Sequence, residues 1–346
     1  MHSTPSPSNL PYSPSWLDRL VQWIDRSPGR TWGFYLTALL ALGFMINAAF
    51  WIDGSVPFGT IDPYNTFFAV FVVYWIGLYQ YLMRVGVRAL RGFRPLLEAD
   101  DAEVAAIQFE LSTLPAWLGW LAAALGLAFA ILAFLGDPTP YGEIIPNSPV
   151  VVVLDIAITT LLSATFFGVL VRSIRQLRMV RRLHARATKI NLLGLGPAHA
   201  FSSLTARTGI GIILLLVFGY LYDPAQGGDP LSVATYAGCA ILAILTFVVP
   251  VIGIRGQIER EKELTLDRTT RLLQSTIDTL HQDVARKDFS QAKETEAAIR
   301  ALSLERDLYA KVSTWPWNPA AFRGFASALL LPLVLWLVTR LLERLF

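Results

Sequence analysis

The sequence predicts an all-α polytopic membrane protein, about seven transmembrane helices with a cytoplasmic antiparallel helical hairpin before the last of them. Three observations carry this. Apolar runs recur at 31–52, 65–83, 115–135, 150–171, 207–222, 232–253 and 321–340, each near the length of about 20 residues that crosses about 30 Å of hydrocarbon. Of the 29 Lys and Arg, all but Arg340 and Arg344 fall on one side of these runs. One long polar stretch, Arg255 to Thr314, repeats apolar residues at alternating spacings of four and three. Composition agrees, with 54% hydrophobic and 16% charged residues against about 25% charged in a soluble domain. Backbone polar groups find no water in lipid, so helices are expected, and the unbroken apolar runs lack the alternation of a membrane β-barrel.

Residues 1–14 are rich in Ser and Pro, lack Lys and Arg, and read as a disordered tail without a cleavable signal. Residues 15–30 read as an amphipathic helix. Ser15 and Asp18 form a capping box, Leu17, Leu20, Val21 and Ile24 share a face, and Asp18, Arg19 and Asp25 lie elsewhere. That helix either lies in the membrane interface, anchored by Trp16 and Trp23, or packs on other cytoplasmic parts. Residues 31–254 hold six spans. The loops after the first, third and fifth carry Asp53, Asp62, Asp137, Glu143, Asp223 and Asp229 but no Lys or Arg. The positive-inside rule then puts the beginning of the chain in the cytoplasm of a plasma (inner) membrane protein. On the basic side, 98–111 reads as a helix before Pro115, and Arg172 to Lys189 as a basic continuation of the fourth span.

Residues 255–314 read as the hairpin. Leu266, Thr270, Leu273, Ile277, Leu280 and Val284 give its first arm a heptad seam. Asp288 and Gln291 would cap the second arm, whose stripe is Ile299, Leu302, Tyr309 and Val312, flanked by Leu304 and Leu308. Trp315-Pro316-Trp317-Asn318-Pro319 marks a rigid return to the interface, and 315–346 forms the final span.

Few residues suggest chemistry. Asp155 is the one carboxylate well inside a span, and with Thr159 and Ser163 it forms a polar stripe at four-residue steps. Asn47 sits at a similar depth. The four could line a hydrated, cation-favouring pathway. Alternatively Asp155 is hydrated near the outer end, or protonated and bonded to Asn47. Pro250 and Pro332 lie inside spans, as hinges or as ordinary membrane-helix prolines. Ala122, Gly126 and Ala130 give the third span a small-residue face for close helix contact. Arg172, Arg175, Arg178, Arg182 and Arg207 are placed to meet lipid headgroups, although a plain positive-inside signal is the commoner explanation for the first four and a snorkelling interfacial side chain for Arg207. The single Cys239 permits neither an intrachain disulfide nor a cysteine zinc site. The four histidines show no HExxH pairing, the last span has no Lys, and no catalytic triad is visible. No metal, cofactor or catalytic residue is therefore expected, and no nucleic acid partner.

Ile190-Asn191-Leu192-Leu193, then Ala200 through Thr208, and the Trp315–Pro319 segment with its following span resemble uncharacterised prokaryotic multi-pass membrane proteins, a likeness that implies no activity. The layout is similar to insect chemoreceptor channels, with seven spans, a cytoplasmic start and a helical projection before the last span. In that family the last span lines a tetrameric pore, although the family's final-helix motif is not recognisable here. The leading functional expectation is an oligomeric, channel-like protein for small, cationic solutes. Its rivals are a non-conducting scaffold or sensor whose hairpin at 255–314 binds a partner, then a secondary transporter, then a membrane enzyme. The expected partners are the bilayer, further copies of the chain, and a cytoplasmic protein.

Overall fold

A computed structural model describes residues 11–27, 30–136, 148–188, 190–222, 230–287, 290–315 and 317–345. All the regular structure among them is helical, and seven helices are long and apolar enough to cross a membrane. The chain is a multi-pass, all-α membrane protein. Asp137, Glu143, Asp223, Asp229, Lys189 and the expected cap Asp288 lie outside the described residues, as does residue 316.

Helix α1 (Trp16–Arg26) begins with the predicted capping box. The Ser15 hydroxyl accepts from the Asp18 amide, and the Asp18 carboxylate accepts from the Ser15 amide. Its apolar face is closed inward by Leu17, Val21 and Ile24. The residues before it depart from expectation. Those from 11 to 14 are placed against the bundle, since Ser13–Ser15 runs antiparallel to Leu114–Ala116, with backbone bonds of 2.8 and 2.9 Å. Residues 1–10 of the expected tail lie outside the described residues. The Trp16 indole donates inward to the Gly119 carbonyl at 3.0 Å, so this ring is no free interfacial anchor, whereas Trp23 remains exposed. Of the two readings, packing on other parts of the protein is the one observed.

Helix α2 (Thr31–Asp53) ends in the left-handed Gly54, at φ +74°, a conformation that disfavours any side chain with a Cβ. It pairs with α3 (Pro63–Phe93), the central helix, which also touches the fourth and fifth spans. Trp75, Tyr79, Leu82, Leu90 and Phe93 give α3 a buried face along most of its length. A 3₁₀ turn, Arg94–Leu96, leads to α4 (Asp101–Ser112), whose first turn is capped by the Asp100 carboxylate. Helix α5 (Ala116–Gly136) packs along α6 (Pro149–Ala185). At 37 residues, α6 spans about 55 Å, far more than hydrocarbon needs, so its arginine-bearing turns extend past the apolar layer.

Helix α7 (Ser202–Tyr222) packs between α8 (Pro230–Val248) and α11 (Pro319–Leu345). The two prolines expected as hinges differ. Pro250 lies in a true break, a turn at 249–251 between α8 and α9 (Ile252–Arg286). Pro332 sits inside α11 without ending it. Helix α11 is the loosest span, with only 6% of its apolar window buried. Trp317 lies inward rather than at an interface, stacked on Phe247, which in turn stacks on Phe325.

Helices α9 and α10 (Ala292–Ala310) pack on each other as the predicted hairpin. Lys262 anchors its base, donating to the carbonyls of Ala310 and Val312 at 2.7 and 2.8 Å, where a cation suits the carbonyl end of a helix. Ile299, Leu302, Tyr309 and Val312 are half-buried, as their stripe predicts. The seam of α9 follows the predicted one at Leu266, Leu273, Ile277 and Leu280, all half-buried, and departs from it elsewhere. Thr269 is closed off at 3% exposure, while Thr270 is exposed and Val284 is 50% exposed.

Candidate functional site: a buried ion pair and an arginine ladder

Asp18 of α1 and Arg172 of α6 are each 2% exposed, and they meet 3.5 Å apart. Both overturn their sequence assignment. Asp18 was expected off the apolar face, and Arg172 was expected at lipid headgroups. A charge this deep requires a partner and hydrogen bonds to its remaining polar atoms. Asp18 has nearly a full set. Oδ1 accepts from the Tyr79 hydroxyl at 2.7 Å. Oδ2 accepts from the Ser15 hydroxyl at 2.7 Å and the Leu114 amide at 2.8 Å. Arg172 donates to the Ser112 carbonyl at 2.7 Å, and its guanidinium lies 4.1 Å from the Tyr79 ring centroid, in cation–π range. Its Nε alone finds no partner. One turn further, Gln176 donates to the Leu111 carbonyl at 3.0 Å. This knot joins α1, α3, the α4–α5 junction and α6. Both charges are buried, and the knot fixes these helices to one another.

Further along α6, the side chains move outward. Arg175 donates to Glu110 and to the Tyr12 hydroxyl, both at 3.1 Å. Burial pushes the Tyr12 hydroxyl pKa up, so it stays protonated, able to donate to Thr113 while accepting from Arg175. Arg186 pairs with Glu103 at 2.5 Å, Arg84 with Asp25 at 2.6 Å, and Arg94 with Asp101. Arg178, Arg181 and Arg182 are exposed and have no carboxylate within 4 Å among the described residues. They border a cleft of about 410 Å³ whose opposite wall is Leu245, Thr246, Val249 and Pro250. Arg207 lies instead over the Tyr81 ring, 5.6 Å from its centroid, and borders a separate cleft of about 430 Å³ with His199 and Asn318. Burial lowers the His199 pKa, and its Nε2 lies 3.1 Å from the Trp315 carbonyl.

His184, two turns past Gln176 on α6, is fully buried against the rings of Phe93 and Phe201. Its Nδ1 lies 3.0 Å from the Pro250 carbonyl, which ties the α8–α9 turn to the basic end of α6. Sequence reading missed Tyr79, Gln176 and His184. The available signal was their register, since Arg172, Gln176, Val180 and His184 follow at four-residue steps on the inward face of α6.

The predicted polar stripe is only partly assembled. Thr159 and Ser163 are buried and Asp155 is half-buried. Asn47 is engaged elsewhere, donating to the Gly43 carbonyl at 2.8 Å and the Thr66 hydroxyl at 2.7 Å and accepting from the Asp62 amide at 2.9 Å. It staples α2 to the start of α3. Helix α5 closes tightly on the neighbouring face of α6. A Cβ on Gly126 would lie 2.5 Å from the Ala164 amide nitrogen and 2.9 Å from the Thr160 carbonyl oxygen. No cluster of metal-ligating side chains occurs among the described residues.

Comparison of the chain with protein-family models, curated proteins and solved structures finds no match. Neither likeness noted in the sequence gains a relative from it.

Proposed function

We propose that the protein is a non-conducting membrane scaffold whose helical hairpin recruits a soluble helical partner on the cytoplasmic side. The observation that carries this is the outer surface of the hairpin. Leu264, Leu272 and Val284 on α9 and Leu304 and Leu308 on α10 are at least half exposed, although the two helices already pack on each other. Leu304 and Leu308 stand one turn apart, the spacing an amphipathic helix uses to engage another. The hairpin lies on the arginine-rich side, which the positive-inside rule assigns to the cytoplasm. The bundle supports the same reading: α5 packs closely on α6 at Gly126, and a buried ion pair ties its helices together.

Conduction by a homo-oligomer is the second reading. The buried Thr159 and Thr160 hydroxyls, which lack a partner, favour it, as does the sparsely packed α11. One pair of measurements separates the two. A photo-crosslinking residue at Leu272 or Leu304 in intact cells is expected to capture a protein other than this chain, and proteoliposomes are expected to pass no cations above empty vesicles. Capture of the chain by itself alone, together with cation flux that Asp155→Asn abolishes, would establish conduction instead.

A further inference from the structure

We infer that the cleft between the basic end of α6 and the foot of α8 binds an anionic diacyl phospholipid. Its phosphate would rest on Arg178, Arg181 and Arg182, with its chains along Ile174, Leu245 and Val249. This does not depend on what the hairpin binds.

Four observations meet here. The cleft, about 410 Å³, has the polarity of an amphiphile. Along α6, Ile174 comes first, Arg178 one turn later, and Arg181 and Arg182 a turn beyond, so one end is apolar and the other cationic. Among the described residues these arginines have no carboxylate within 4 Å, whereas Arg84, Arg94, Arg175 and Arg186 on the same side are each paired. Three uncompensated guanidiniums so close together repel one another, and a phosphate with several acceptor oxygens relieves this with charge-assisted hydrogen bonds.

The apolar wall is open to the bilayer. Ile174, Leu245 and Val249 are all exposed, as lipid-facing side chains in a span should be, so an acyl chain can reach the cleft without crossing water. Headgroup and chain depth thus agree: the phosphate sits where α6 leaves the apolar layer, and the chains run back along both helices.

The test is native mass spectrometry of the full chain released from detergent with added dioleoylphosphatidylglycerol or dioleoylphosphatidylcholine. The expected result is a one-to-one adduct that favours the anionic lipid. Removing all three charges (Arg178→Gln, Arg181→Gln, Arg182→Gln) should weaken it on the order of a hundredfold. Arg88→Gln, at an exposed arginine outside the cleft, should leave it unchanged. Leu245→Trp keeps every charge but fills the cleft, and it should also abolish the adduct, which covers the case of a misfolded triple variant. Equal binding of both lipids, equal loss with Arg88→Gln, or retention in Leu245→Trp would overturn the assignment. Displacement by glycerol phosphate alone at the same concentration would also overturn it, since it would make this a site for a small soluble anion.

Discussion

Replacing Arg172 with methionine is expected to destabilise the protein by about 3–5 kcal/mol, the usual cost of stranding one member of a buried ion pair. The Asp18 carboxylate would keep its bonds from Tyr79, Ser15 and Leu114 but lose its counter-charge in a site 2% exposed. Asp18→Ala should cost at least as much, because it leaves a buried guanidinium and four other donors, the Ser15 amide among them, without an acceptor. The diagnostic measurement is the double variant, Asp18→Asn with Arg172→Met, which removes both charges while keeping a polar side chain at 18. It should recover at least half of the loss seen in Arg172→Met. The readout is tryptophan fluorescence during thermal unfolding in detergent. If Arg172→Met unfolds like the parent, or if the two substitutions simply add, the pair does not hold α1, α3 and α6 together.

The second large effect is expected at Gly126. The atoms its Cβ would meet belong to the backbone of α6, at 2.5 Å from the Ala164 nitrogen and 2.8 Å from its Cα. A backbone inside a continuous helix cannot yield as a side chain can, so α5 and α6 must move apart. Gly126→Ala is expected to cost about 1–3 kcal/mol by overpacking, and Gly126→Leu more. Gly33 in α2 has no atom within 4 Å of the position of a Cβ, so Gly33→Ala should be neutral or stabilising by up to about 1 kcal/mol. Equal unfolding temperatures for Gly126→Ala and Gly33→Ala would show that the close approach of α5 and α6 contributes nothing.

Much of this architecture was legible from the residues, because its signals are local. Length and apolarity revealed the seven spans. Ser15 and Asp18 announced their capping box at three-residue spacing, and Ala122, Gly126 and Ala130 marked the face that meets α6. What the residues concealed was pairing across distance. Asp18 borders the apolar face beside Val21 but is read as outward because carboxylates usually face water, and nothing near it announces an arginine on the fourth span. The same applies in reverse to Arg172, the first of a basic run whose later members do face outward.

The hairpin seam was legible in part, since Leu266, Leu273, Ile277 and Leu280 are half-buried while Thr270 and Val284 are exposed. Leu266, Leu273 and Leu280 belong to two possible rows, one completed by Thr270, Ile277 and Val284 and the other by Thr269, Thr276 and Asp283. Apolarity favoured the first row, but Thr269 is closed off and Val284 is left half in the open. Pro250 shows what sequence could mark without resolving: proline signalled a weak point, and the contact with the buried His184 is what fixes a break there. Of the candidate site, the arginines were named in the sequence, but their division into sealed, paired and free depended on partners far along the chain.

The pairing of Asp18 with Arg172 also orders events during synthesis. The two are 154 residues apart, so a ribosome working at about 5–20 residues per second needs about 8–30 s after making the first to make the second. Through that interval α1 has its carboxylate but not its cation, and the strand-like contact of Ser13–Ser15 waits on Leu114–Ala116. Helix α1 is therefore made long before it is locked, and a nascent chain stalled before the fourth span would leave it undocked and open to proteolysis.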